Sequence, residues 1–236
     1  MYVIPLGTNG LFPDGENATS GYLVCAGKRK FLVDIGSGVF LKLKEILPPE
    51  SLDAVIITHY HYDHVSDIGV LSYYLQTKNA KLRVYAPKDD SFYQKLIETT
   101  PYLEYRPIFE NDWMLYDDLR ILFYKTNHPV TTFGLSFIYG DKKFTYTSDG
   151  NLCDNLYKML DNSDLAIIDC GFLYKDWSED KPLLSAYHVG LLSAELNVKV
   201  PLISHFKPTI SKKDLIEEAR SACDRVNPCL YKRYKV

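Results

Sequence analysis

The sequence has no cysteine framework. Its five cysteines (Cys25, Cys153, Cys170, Cys223 and Cys229) are odd in number, scattered, and never spaced as CxxC. That pattern argues against a disulfide-built domain and for a reduced, cytoplasmic setting. No apolar run approaches the ~20 residues of a membrane-spanning helix, so no membrane association is expected. The opening residues 2–6 read as a strand and lack the basic start and long apolar stretch of a signal peptide. There is no excess of positive charge: 27 Lys and Arg stand against 30 Asp and Glu, for a net −3. A nucleic-acid partner is therefore not favoured, because binding a polyphosphate backbone calls for a basic face. Low-complexity segments, long linkers and short-period repeats are also missing. With 46% hydrophobic and 24% charged residues, the composition excludes collagen-like, disordered and membrane classes. Histidine is scarce, at six residues, while tyrosine is plentiful, at 19. The tyrosines are assigned to packing.

A chain of 236 residues suits a single domain, 1–236, with room for two similar halves and a substantial core. Apolar strand runs alternate with helical stretches, which is an α/β pattern. Strands are expected at 2–6, 21–25, 30–34, 54–58, 83–85, 119–124, 135–139, 143–146, 165–169 and 201–204. Helices are expected at 39–46, 65–75, 152–160, 191–198 and 211–223. The run Ala54-Val55-Ile56-Ile57-Thr58 is short, branched and apolar, as in a strand buried on both faces. Two rounds of strands followed by helices suggest two sheets face to face with helices outside.

Directly after that strand come His59, His61, Asp63 and His64. Open α/β sheets present ligands beyond the carboxyl ends of their strands, so the loop is well placed for chemistry. Four donors within six residues cannot all serve one small ion without strain, and a turn could aim them in two directions. Imidazole with carboxylate suits zinc, with manganese or iron as alternatives. A plain polar loop would not gather three of the six histidines. The other three, His128, His188 and His205, also fall at the ends of expected elements, and Asp149 ends another strand in Thr147-Ser148-Asp149-Gly150.

The series His59-x-His61-x-Asp63-His64, His128, Asp149 and His205 resembles the metallo-β-lactamase superfamily over nearly the whole chain. The opening Leu6-Gly7-Thr8-Asn9-Gly10, with 19–24 and 31–36, is similar to the ribonuclease Z-like branch, as is Ser204-His205-Phe206. The resemblance implies a four-layer αββα sandwich carrying two divalent metal ions. It assigns His59, His61 and His128 to the first ion and Asp63, His64 and His205 to the second, with Asp149 bridging. It implies in-line attack on a phosphodiester by hydroxide generated at the metal pair. Asp63 would help orient or deprotonate the water, and Asp34 would support the ligands from behind. His188 would protonate the leaving alkoxide, which departs poorly without a proton, or steady the charged phosphorane-like transition state. Asp169 falls where the branch places an acid near that histidine, able to raise its pKa and fix its tautomer; a plain strand-end carboxylate is the other reading.

The sequence also departs from the branch. Transfer-RNA processing members carry a long arm between the residues matching His128 and Asp149, whereas here Asp149 follows His128 by only 21 positions, filled by two strands and the turn Gly140-Asp141. The expected substrate is therefore a small or cyclic phosphodiester, and relatives suggest a homodimer. Hydrolysis of another ester, lactone or thioester, tRNA 3′-processing, and a non-hydrolytic metal-binding or redox role remain as alternatives. The stretch 76–111 holds Tyr93, Tyr102, Tyr105 and Phe109, expected as core with a pocket-capping role as the second reading.

Overall fold

The computed structural model describes residues 1–15 and 17–236. They form two compact units, 1–109 with 231–235, and 110–230 with 236. Each unit holds one mixed sheet with helices.

The first unit contains strands β1 (Tyr2–Asn9), β2 (Ala18–Thr19), β3 (Gly21–Ala26), β4 (Arg29–Val33), β5 (Ala54–Ile56), β6 (Leu82–Pro87) and β7 (Leu103–Ile108), with helices α1 (Val39–Ile46), α2 (Tyr62–Val65), α3 (Ile68–Lys78) and α4 (Phe92–Thr99). Strands β1, β3 and β4 are antiparallel neighbours, and β4 to β7 then run parallel. The parallel register, Leu32 opposite Val55 and Val55 opposite Val84, sends the chain out of β4 and β5 at the same sheet edge. Asp34 and the histidine loop start there. The central strands are buried at every position, which explains their unbroken apolar run. Leu23, Leu32 and Val55 of the sheet pack with Leu43, Ile68, Leu71, Leu75 and Ile97 from the helices.

The second unit contains β8 (Trp113–Tyr116), β9 (Leu119–Lys125), β10 (Phe133–Tyr139), β11 (Lys142–Tyr146), β12 (Leu165–Asp169), β13 (Val200–Ser204) and β14 (Asn227–Pro228). Its helices are α5 (Asp154–Leu160), α6 (Ala186–Glu195) and α7 (Lys212–Ala222). A short strand β15 (Tyr234–Lys235) returns to pair with β1. Strands β8 to β11 form an antiparallel meander, and β11 to β14 run parallel. Because β9 and β11 are both antiparallel to β10, the chain leaves β9, β11, β12 and β13 at one edge. His128, Asp149, Asp169 and His205 follow from, or end, those four strands. Gly140, at φ 63°, closes the tight turn from β10 to β11, so strands fill the interval where an arm would have to be inserted. Helices α6 and α7 approach so closely that a Cβ on Gly190 would lie 2.2 Å from the carbonyl oxygen of Ala219.

Three expectations need correction. The helix expected at 191–198 is α6, which starts earlier because Ser185 caps it: its Oγ accepts from the His188 amide. The helix expected at 65–75 is two, α2 and α3, with Asp63 and His64 on the first. The stretch 76–111 contains an unforeseen helix, α4, capped by Ser91 Oγ on the Gln94 amide, and an unforeseen strand, β7. Tyr93, Tyr102 and Tyr105 pack against the core as expected, whereas Phe109 is exposed. Among the described residues no helix is long and apolar enough to cross a membrane.

Candidate functional site

In the first unit the chain leaves β5 at Ile57, and Thr58 turns off the sheet because Asp34 captures it. Asp34 Oδ1 accepts from the Thr58 amide at 2.8 Å and Oδ2 from its hydroxyl at 2.9 Å. The same carboxylate holds His64 by Nδ1 at 2.8 Å. Full burial pushes Asp34 above the usual carboxylate range, against the pull of His64 and Thr58. With Nδ1 engaged, His64 turns Nε2 toward Asp63, whose Oδ2 lies 3.8 Å away. Asp63 Oδ2 in turn accepts from the Leu11 amide at 2.8 Å. The His59 Nδ1 lies 3.1 Å from the Thr58 hydroxyl, and its Nε2 meets His61 Nδ1 at 3.1 Å. The His59 and His64 rings are 4.1 Å apart between centroids. His59, Asp63 and His64 are buried and His61 is partly exposed. All four residues expected as ligands here come together, with Asp34 behind them.

The second unit gathers Asp149, Asp169 and His205. One ligand atom from each lies within 4.8 Å of the others. His205 sits between two carboxylates, with Nε2 3.3 Å from Asp149 Oδ2 and Nδ1 3.0 Å from Asp169 Oδ1. Burial raises the pKa of Asp169 and the charge of Asp149 adds to it, while the bond to His205 opposes both. The backbone helps to aim these groups: Ser148 and His205 adopt left-handed φ values of 55° and 63°. His128 follows β9 in a loop bound to the Asp149 turn, through Thr126 Oγ1 to the Asp149 carbonyl (2.7 Å) and the Asn151 amide to the Asn127 carbonyl (2.8 Å). His128 Nδ1 lies 3.0 Å from the Pro182 carbonyl. As the donor there, it leaves Nε2 as the atom able to bind a metal.

His188 lies in the first turn of α6, inside the helix rather than just before it. Its Nδ1 is 2.9 Å from Ser185 Oγ. Trp177 lies 4.2 Å and Tyr174 5.5 Å from its ring, and burial lowers its pKa below the ordinary histidine value. The expected partnership of Asp169 with His188 is not the one formed, because Asp169 faces His205 instead. A carboxylate at the end of β12 is level with the end of β13, where Asp169 pairs with Ser204, which brings it beside His205. Sequence reasoning passed over Ser185, Trp177, Pro182 and Asn151. Asn151 is the anchor of the loop before α6: its Nδ2 donates to the carbonyls of Ser178, Glu179 and Lys181, and its Oδ1 accepts from the Trp177 indole. A turn asparagine gives no sign in sequence of which distant loop it ties down.

Comparison with known proteins agrees with this architecture. A family profile described as "Beta-lactamase superfamily domain" matches residues 29–209. The probable metallo-hydrolase YhfI of Bacillus subtilis is 31% identical over 230 residues, 94% of this chain and 93% of that protein. The crystal structure of the metallo-β-lactamase fold protein YhfI superposes with a TM-score of 0.93 at 29% identity, covering 99% and 98% of the two chains. A ribonuclease Z from Methanopyrus kandleri is 32% identical over 129 residues, 54% of this chain and 46% of that one. The short form of human tRNase Z has the same fold, with a TM-score of 0.79 at 17% identity over 100% and 99% of the chains. The chain therefore belongs to the β-lactamase superfamily and has the metallo-β-lactamase fold, with two mixed sheets and their helices.

Proposed function

We propose that the protein is a dinuclear metal-dependent phosphodiesterase acting on a small or cyclic phosphodiester. The observation that carries this reading is the spacing of donor atoms. His59 Nε2 and His61 Nδ1 are 3.1 Å apart, and His205 Nε2 and Asp149 Oδ2 are 3.3 Å apart. Two ligands on a tetrahedral zinc, each about 2.0–2.1 Å from the ion, lie roughly 3.3 Å from one another. Donor type and spacing thus both fit divalent metals. Following the order of the family motif, His59, His61 and His128 would hold one ion and Asp63, His64 and His205 the other, with Asp149 available to both. Zinc is the first choice, and manganese or iron the alternative. Such a pair supplies hydroxide at neutral pH and Lewis-acid stabilisation of phosphoryl oxygens.

The chain's own residues supply the rest. Asp34 fixes the ring of His64, the Pro182 carbonyl that of His128, and Asp169 that of His205; each leaves Nε2 forward and steadies the ligand. Asp63, held by the Leu11 amide, orients the attacking water. His188 gives the leaving oxygen its proton. Its neutral form dominates in the free protein, so a bound phosphate anion has to draw the proton onto it. Asp169 acts as a positioning residue for His205 and has no direct part in proton transfer. The tight turn between β10 and β11 favours small substrates over tRNA.

The test is turnover of bis-p-nitrophenyl phosphate and a 2′,3′-cyclic nucleotide, with metal content measured on the same sample. The reading expects activity that chelation abolishes and zinc or manganese restores, at about two ions per chain. Two bound metals with no turnover of either compound would overturn it in favour of lactones or thioesters. A single iron would overturn it in favour of redox chemistry. Substituting His188→Ala should spare metal content while slowing substrates with poor leaving groups most; loss of metal instead would make His188 a ligand.

A further inference from the structure

The first unit holds an aromatic cavity beside the histidine loop, sharing only His61 with the hydrolytic machinery. It measures about 270 Å³ and is lined by Tyr60, His61, Tyr62, Ser91, Phe92 and Tyr93. Apart from Ser91, every lining side chain is a flat ring. Two of them are unusually accessible for their type, with Tyr62 74% and Phe92 73% exposed. A lone exposed aromatic needs no explanation. Here, however, two flank a hollow, joined edge to face through Tyr93, at 5.8 Å from Tyr62 and 5.4 Å from Phe92. Tyr93 is anchored against the apolar core. Tyr60 is fixed by its hydroxyl on the Pro87 carbonyl at 2.7 Å. The exposed rings thus stand on a rigid base. Their placement is also particular: Tyr62 lies between the candidate ligands His61 and Asp63, and His61 itself forms part of the wall.

We propose that this cavity seats the nucleobase of a nucleotide substrate, which rests on the reading of the protein as a phosphodiesterase. Pockets for drug-sized ligands run to about 300–1,000 Å³, so a cavity somewhat below that range suits a single planar ring system. Stacking on exposed aromatic faces accepts any base, because every base presents a π-face. Among the described residues no carboxylate or ammonium lines the hollow, which suits a neutral heterocycle held by stacking. A base held here lies next to His61, and a phosphate one sugar away is then within reach of the histidine loop. The cavity thereby separates nucleotides from phosphodiesters that lack a base.

The experiment titrates adenosine and, separately, ribose into the zinc-loaded chain by calorimetry, in the wild type, Phe92→Ala and Phe92→Trp. Phe92 is exposed at the start of α4, so neither change disturbs the core. The expected result is binding of adenosine but not ribose, weakened roughly tenfold or more in Phe92→Ala and retained in Phe92→Trp. In the same variants, the preference for 2′,3′-cyclic AMP over base-free ribose cyclic phosphate should fall by a similar factor in Phe92→Ala, and through KM rather than kcat. Adenosine binding that is equal in wild type and Phe92→Ala, or absent from both, overturns the proposal. Because the titration needs no turnover, a protein that binds adenosine through Phe92 yet cleaves no phosphodiester would refute the catalytic reading and leave the base site standing.

Discussion

At the scale of single residues, the site is built by hydrogen bonds that reach backward from the donors. Asp34 joins two loops through Thr58 and His64, with no exposed surface. Removing one partner from a buried charged cluster costs about 3–5 kcal/mol. Asp34→Ala should therefore lower the unfolding free energy from denaturant titration by that measure and weaken metal uptake together; an unchanged unfolding free energy would deny the carboxylate its structural role. His188 gives a pH prediction. Burial lowers its pKa, so the native protein resists protonating it while the unfolded chain takes up the proton at the ordinary value of 6.5. The unfolded state binds more protons in that window, so this residue's contribution to stability rises with pH and is lost as the solution is acidified. Trp177, 4.2 Å from the ring, reports the event directly. Its fluorescence should be quenched on acidification with a midpoint below 6.5, and the transition should vanish in His188→Gln. A midpoint above 6.5 would reverse the assigned sign.

At the scale of elements, the carboxyl ends of parallel strands explain why the candidate site residues were legible in the sequence. His59, Asp149, Asp169 and His205 each follow or end an apolar run, and such runs are read from local pattern alone. The pairing of Asp169 with His205 was not legible, because it depends on which strands are neighbours and in what register. The start of α6 was misplaced where the Ser185 hydroxyl decided it, and α4, capped by Ser91, was not foreseen at all. The α6–α7 contact depends on Gly190, whose missing side chain lets the Ala219 carbonyl approach. In Gly190→Ala the gain in helix propensity is about 1 kcal/mol, but overpacking typically costs 1–3 kcal/mol, and here the clash is with backbone. A net loss of stability by thermal or chemical unfolding is the expected outcome; a stabilised variant would mean the two helices can separate freely.

At the scale of the whole molecule, the cysteines and the metals make separate predictions. Cys25, Cys170, Cys223 and Cys229 are buried and Cys153 is only partly so. Burial raises the thiol pKa of Cys25, Cys170 and Cys229, and it is the thiolate that reacts. A thiol reagent should modify Cys153 alone in the native protein and all five cysteines after unfolding. Fast reaction at several sites would contradict the packing of both cores. Metal should stabilise the fold by mass action. At a free concentration about a hundredfold above Kd, one site contributes about 2.7 kcal/mol. For a chain of this size that corresponds to roughly 5–10 °C in Tm. Chelation should reverse the shift, and a Tm indifferent to metal would argue against resident ions.

The left-handed backbone at His205 has a consequence for descent. For a residue with a Cβ, that conformation costs on the order of 1 kcal/mol over glycine. Nothing in the packing of an apolar core asks for it at a strand end. There the side chain faces Asp149 and Asp169, which the turn makes possible. A lineage released from the chemistry would be free to relax there first, long before its core changed. Glycine at position 205 would then mark, in sequence alone, those descendants that kept the fold and abandoned the reaction.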